Sequence, residues 1–314
     1  MGILGRLNDW RKRSYLRRRV GPNWEQFYID NNHWPSDGVK LQPDGSLLVP
    51  QFNLSIPNTD SPAKNLLLAE YLWGTMKEKS GMGFKVEGDT LIAEVDGLKL
   101  GLTKSGDFDT LREVFLEHLY RFERPGEPLI VDIGANIGLA SLYLARYYPG
   151  EIHAFEIVPS TAKRTEENFA RNPEFAKSIT FHDYGLGESD GTLEISIDPD
   201  HSAGNSMFRA RGSQKEQVRI KDAATALQEI VSKRGNRTLV VKLDAEGAEY
   251  SIFRRWAEAG LIGEIDVLMM EWHIQEGENV EEIRQTLRAN GFEWSEYQEW
   301  QAAHGFINAF GKRA

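Results

Sequence analysis

Past residue 105 five short apolar, β-branched runs recur, and after all but the third comes a segment with helical spacing. The runs fall at 129–134, 152–156, 179–183, 239–244 and 265–271. After the first, Ile137, Ala140, Ser141, Leu144, Ala145 and Tyr148 mark a helix, and a helix over about 110–122 leads into it. Strands this continuously apolar are buried on both faces, and intervening helices supply that cover. The expected fold is therefore α/β, a doubly wound, mostly parallel sheet of Rossmann-like type. Residues 193–197 and 218–220 predict an extra antiparallel pair. A helix carrying Val280, Ile283 and Leu287 is expected to end at Gly291. Runs 292–297 and 305–311 predict an antiparallel C-terminal edge.

Residues 1–105 read differently and are assigned to an accessory region of mixed α and β character, with 106–314 as the main domain. A helix is expected over about 62–79, stopped by Gly81. Two strands at 90–95 and 98–102 are joined by Asp96-Gly97, a pair suited to a turn whose two central residues both take positive φ.

Charge and composition exclude several roles. The chain has no cysteine, so disulfides, thiolate metal sites and a cysteine nucleophile are ruled out. Net charge is -10, yet residues 1–20 carry seven cationic side chains against the single acid Asp9. The acidic remainder makes a poor nucleic-acid binder, because phosphate binding needs clustered Lys and Arg. No apolar run approaches the roughly 18–20 residues of a membrane span, and no signal-peptide core follows the basic start. A cytoplasmic location is expected. In the basic segment Ile3, Leu4, Leu7 and Trp10 share one helical face, with Tyr15 at its edge. Ser14 interrupts that stripe and Leu16 points the other way. The segment reads as a solvated or subunit-bridging helix, which would make a homo-oligomer, or as a contact for a membrane surface or other anionic partner.

In an open α/β sheet, ligands bind at the carboxyl ends of the strands. Those ends are Asp132 to Gly138, Glu156, Asp183, Asp244 to Glu249, and Glu271 to His273. Acids recur at every one, although each must be solvated or paired. The first turn reads Asp132-Ile133-Gly134-Ala135-Asn136-Ile137-Gly138. Gly134 permits a sharp exit from the strand, and Gly138 lets the next helix pack close. The spacing differs from the dinucleotide Gly-x-Gly-x-x-Gly, which disfavours a nicotinamide-dependent oxidoreductase. Glu156 ends the second strand, where an acid accepts the ribose hydroxyls of a nucleoside; a solvated strand-end acid is the alternative. Asp183 ends the third and either contacts an adenine amino group or simply forms a turn.

Val131 to Gly138, together with His153-Ala154-Phe155-Glu156 to Pro159 and Val241-Lys242-Leu243-Asp244-Ala245-Glu246-Gly247-Ala248-Glu249, resembles the FkbM family of methyltransferases. The resemblance covers about residues 110–275. It implies a class I methyltransferase sheet, S-adenosylmethionine as methyl donor, and O-methylation of a hydroxyl on a saccharide or natural-product-like small molecule. By the same resemblance Asp132, Gly134, Asn136 and Gly138 cradle the methionine part and Glu156 the ribose.

Methyl transfer to a hydroxyl requires alignment of acceptor and methyl, and removal of the hydroxyl proton. Asp244, at the end of the fourth strand, is the first candidate for the proton. Glu249 opens the following helix, where an acid can be a simple dipole partner. His273 is a second base, with an unperturbed pKa near 6.5. Asp244 with Glu271 or His273 could instead hold a divalent metal such as Mg that orients the acceptor. Base and metal are both open at this point. Trp272 stacks on a sugar or fills the core. The polar loop 201–208 reads as a lid or a plain connector. The alternative to an enzyme is a methyltransferase-like module that binds a nucleoside without catalysis.

Overall fold

The computed structural model describes residues 39–57 (except 43 and 45), 69, 82–123 (except 89 and 105), 126–197, 214–298 and 303–312. The basic N-terminal segment, the helix expected at 62–79 apart from Ala69, and the 201–208 loop lie outside the described residues. The chain divides into two compact units, Met1–Arg112 and Glu113–Ala314.

Within the first unit β1 (Lys40–Leu41), β2 (Leu47–Val49) and β3 (Leu54–Ile56) form an antiparallel sheet. A second antiparallel sheet joins β4 (Gly83–Glu87), β5 (Thr90–Val95) and β6 (Leu98–Leu102). The predicted hairpin is present, with Asp96 at φ 50° and Gly97 at φ 85°. β4 is an added strand that sequence reading missed; its half-buried side chains leave no clean alternation.

Helix α1 (Gly106–Phe115) leads into the second unit, whose elements follow in order. They are β7 (Leu129–Ile133), α2 (Leu139–Tyr147), β8 (Glu151–Phe155), α3 (Pro159–Arg171), α4 (Pro173–Ala176) and β9 (Ile179–His182). Then come β10 (Gly185–Gly187), β11 (Gly191–Ile197), β12 (Gln214–Asp222), α5 (Ala223–Val231), β13 (Leu239–Leu243) and α6 (Glu249–Glu258). The last are β14 (Val267–His273), α7 (Val280–Ala289), β15 (Glu293–Tyr297) and β16 (His304–Phe310).

Seven strands form one sheet in the order β15-β16-β14-β13-β7-β8-β9. The five from β14 to β9 are parallel, and β15 and β16 pair antiparallel at one edge. Chain order reverses between β7 and β13, so the crevice outside that pair is the switch point where such sheets bind ligands. This is the doubly wound, Rossmann-like architecture that the alternating pattern implied, with the expected antiparallel edge. The smaller sheet β10-β12-β11 includes the expected antiparallel pair, with Val218 opposite Leu193.

Side-chain alternation explains how the central strands are covered. Leu129, Val131, Ile133, Leu239, Val241, Leu243, Leu268 and Met270 share a core with residues of α5, α6 and α7. The intervening positions, Asp132 and Lys242 among them, face the other side because successive strand residues alternate. Asp132 and Lys242 are direct cross-strand partners. Trp256 anchors the α6 side: it is fully buried and its Nε1–H donates to the Ala223 carbonyl at 2.9 Å.

Trp256→Ala should cost about 3–5 kcal/mol, from lost apolar burial and the cavity left behind. Urea unfolding checks this, and a loss under about 1 kcal/mol would contradict the anchoring role.

Candidate active site

The turn after β7 is built by positive φ angles at Gly134 (80°), Asn136 (49°) and Gly138 (82°). A Cβ on Gly134 would lie 1.7 Å from the carbonyl oxygen of Asp244, so the exit of β7 rests directly on the backbone at the end of β13. A Cβ on Gly138 would meet Phe169 at 2.8 Å and Thr165 at 2.9 Å, both on α3. The same helix clamps the turn: the Thr165 hydroxyl donates to the Asn136 carbonyl, and Asn168 Nδ2 donates to the Ile137 carbonyl at 2.8 Å.

Asp132 is fully buried below this turn. Its carboxylate accepts from the Ser141 hydroxyl at 2.5 Å and pairs with Lys242 Nζ at 3.1 Å. The Asn136 side chain is different, since its Oδ1 is buried and has no hydrogen-bond partner among the described residues. Such an orphan is unfavourable by itself and fits a ligand that brings a donor.

Glu156 follows β8 and turns toward the same loop. Its Oε2 accepts from the Asn136 N–H at 2.9 Å and its Oε1 from the Val158 N–H at 2.8 Å. Each oxygen keeps a second lone pair, so the carboxylate can still accept from hydroxyl groups. Burial pushes the Glu156 carboxyl up to about 7, against the two N–H bonds, which lower it. Asp183 stands apart: its side chain is 64% exposed and pairs with Arg219 Nη2 at 2.7 Å. The neighbouring His182 ring stacks on Phe155 with centroids 4.3 Å apart, and burial lowers its pKa to about 4.

A second cluster lies at the ends of β13 and β14. Glu246 (φ 51°) and Gly247 (φ 108°) turn the chain sharply out of β13 and into α6. Glu249 is fully buried; it accepts from the Gly247 N–H and from His273 Nδ1. The other ring nitrogen of His273 faces Glu246 at 3.4 Å and Glu271 at 3.6 Å. Burial lowers the His273 pKa, but the Glu249 bond and the acids around the ring outweigh it and raise the value to about 9. Near neutral pH this imidazole is therefore a cation, unlike the unperturbed histidine expected from sequence. Burial raises the Glu271 carboxyl well above its ordinary range, and the Asp244 charge adds to the effect.

Asp244, Glu271 and His273 thus converge, while the Asp132 to Gly138 turn and Glu156 gather beside them through Gly134. Trp272 is buried, presses on Gly305, and donates from Nε1 to Glu296 at 3.1 Å; it fills the core. Among the described residues two triads have metal-compatible spacing, Asp244 with Glu246 and His273, and Glu271 with His273 and His304. Both depend on His273, whose cationic ring has no lone pair for a metal until it loses a proton.

Sequence reading missed Lys242, Tyr120 and the pairing of Glu249 with His273. Lys242 stood inside an apolar strand, where a lone cation at a core position was the available signal. Tyr120 is buried, and Lys242 Nζ lies 5.5 Å from its ring centroid. Burial first, then the charges of Asp244, Glu271 and Asp132, hold the Tyr120 hydroxyl well above its ordinary pKa.

The His273 shift has a signed consequence. A pKa raised from 6.5 to about 9 adds stability that is complete below 6.5 and is lost as pH rises through 9. Glu249→Gln should return the His273 titration toward 6.5 and flatten this part of the stability profile. Imidazole NMR titration checks it, and an unchanged His273 pKa in the variant would contradict the pairing.

Comparison with known proteins places the chain in a family. Residues 132–294 match the model of the Methyltransferase FkbM domain. The chain is 35% identical over 143 residues to Methyltransferase sdnD of Sordaria araneosa, covering 43% of this chain and 51% of that protein. It is 30% identical over 167 residues to Methyltransferase 1 of Beauveria bassiana, covering 46% of this chain and 64% of that one. The matches therefore span about half to two thirds of these relatives' length. A crystal structure of Methyltransferase FkbM from Methylobacillus flagellatus aligns with a TM-score of 0.42 at 16% identity, over 66% of this chain and 53% of that one. The family match runs from the buried Asp132 of the first turn, through Glu156 and the Asp244 cluster, to the start of β15, and the chain belongs to the FkbM methyltransferase family.

Proposed function

We propose that this protein is an S-adenosylmethionine-dependent O-methyltransferase that acts on a hydroxyl of a saccharide or natural-product-like small molecule. The observation that carries this reading is the contact of the Gly134 turn with Asp244, which sets a nucleoside-suited turn beside an accessible carboxylate. Family membership supports the donor, and so do the unpartnered Asn136 Oδ1 and the remaining acceptor capacity of Glu156. When bound, the donor supplies an activated sulfonium methyl group. The chain's own residues have two tasks, to hold the donor's polar groups and to prepare the acceptor oxygen.

In this reading Glu156 accepts from the ribose hydroxyls and the turn from Gly134 to Gly138 holds the methionine portion. Asp132 supports the turn from below, since it is fully buried and bonded to Ser141 and Lys242. Asp183 lies at the edge of the site, paired with Arg219, and its remaining acceptor capacity serves the adenine amino group. Asp244 has a 25% exposed side chain and takes the acceptor's proton. Glu246 offers a further acceptor to a polyhydroxylated substrate, and Glu271, whose carboxyl is held well above its ordinary range by burial, can donate as well as accept. His273, held cationic by Glu249, orients these two carboxyl groups and offsets the negative charge of the cluster.

Calorimetry should detect the donor and its demethylated product, with binding weakened roughly 100-fold by Glu156→Ala, as expected when a buried acceptor of two hydroxyls is lost. Affinity should also fall as pH drops through about 7, because protonation of Glu156 removes acceptor capacity. With labelled donor and a panel of saccharides, Asp244→Ala should abolish transfer and chelation with EDTA should leave it intact. Absence of donor binding would overturn the reading. Binding with no transfer to any host-extract component would favour a nucleoside-binding module. Loss on EDTA with recovery on Mg²⁺ would give Asp244 a metal-ligating role.

A further inference from the structure

Lys242 is a buried cation of the second unit to which this function gives no role of its own. It is 2% exposed, and the strand around it, Leu239, Val240, Val241 and Leu243, is fully buried and apolar. Its ammonium donates to the Gly134 carbonyl at 2.6 Å and reaches the Ile133 carbonyl at 3.4 Å. It also pairs with Asp132 at 3.1 Å and lies 3.7 Å from Asp244 Oδ2. Stability alone is a weak reason for such a pair, because a buried ion pair seldom outperforms well-packed apolar residues.

The placement of the bonds is more informative than their number. The peptide linking Gly134 to Ala135 is held at both ends. Its carbonyl receives Lys242, and its N–H donates to the Phe155 carbonyl at 2.8 Å. Glycine at φ 80° has an easily rotated peptide, so removing one restraint frees the plane. The next amide, Asn136 N–H, is the one that Glu156 accepts. On its other side Lys242 approaches Asp244, whose own N–H donates to the Ile133 carbonyl at 3.0 Å.

We propose that Lys242 is a positioning residue that locks the Gly134 turn and the Asp244 carboxylate into one unit, so that the donor site and the proton acceptor keep a fixed relation. Its bearing on the donor rests on the reading given above; its hold on the turn does not. The ammonium's three N–H groups are taken by the two carbonyls and Asp132 without any contribution from a ligand, and Asp244, 3.7 Å away, is held by its charge and not by a hydrogen bond. The lock therefore exists before the donor arrives, which lowers the ordering cost of binding.

The test compares Asp132→Asn with Asp132→Asn/Lys242→Met. In the single variant Lys242 keeps Gly134 and Asp244 as partners, and Asn can still accept from Ser141. The double variant removes both buried charges together, which avoids an unpaired Asp132 and preserves the fold. Hydrogen exchange over residues 132–138, and calorimetry with S-adenosylmethionine and S-adenosylhomocysteine, are measured on full-length protein at matched Tm. The double variant should exchange Ala135 and Asn136 amides faster and bind both compounds roughly tenfold or more weakly than the single variant. A purely structural pair would leave both readings unchanged once Tm is matched. Exchange and affinity within twofold of the single variant would overturn the proposal. If the wild-type chain binds neither compound, the donor reading fails, and exchange alone still decides whether Lys242 holds the turn.

Discussion

At Gly134 the backbone leaving β7 lies against the carbonyl of Asp244 so closely that no side chain fits between them. That approach is the constraint from which the functional edge of the sheet follows. β7 and β13 are adjacent parallel strands whose chain connections run in opposite directions, so their carboxyl ends open a crevice. With glycine at the crossing, the turn after β7 folds over the end of β13 instead of standing away from it. Glu156, reached through the Asn136 amide, and Asp244, reached through its own backbone, then become neighbours of one loop.

The electrostatics of that edge are organised around two buried cations. Lys242 neutralises Asp132 below the turn and faces Asp244; His273 is enclosed by Glu249, Glu246 and Glu271. Without them, closely packed carboxylates in a low-dielectric setting would have to bind protons or move apart. The raised pKa of Glu271 shows that the compensation is incomplete there.

Much of the second unit was legible in sequence because its strands are apolar on both faces and its helices carry one apolar stripe. Element boundaries for β7, β8, β11 and β13 differ from expectation by only a residue or two. The exceptions have local causes. The helix expected over 110–122 is shifted to Gly106–Phe115, where Asp107 accepts the N–H groups of Thr103 and Lys104 and fixes its start. β10 was missed since Gly185-Leu186-Gly187 has no strand-like pattern; its glycines allow close contact with Ile157 and Ile220.

The sequence by itself determined the sheet, the glycine turn and the recurrence of acids at the strand ends, because these depend on local periodicity and on residues with special backbone freedom. Only the tertiary structure decided what each acid does. Asp132 and Glu249 look like Asp244 in one dimension, yet both are fully buried and already paired, whereas Asp244 remains accessible. His273 became a cation and Glu156 a carboxyl titrating near neutrality through burial and neighbours far away in the chain. A side chain's charge, exposure and partners are properties of its surroundings, and those surroundings exist only after strands separated by a hundred residues are brought side by side.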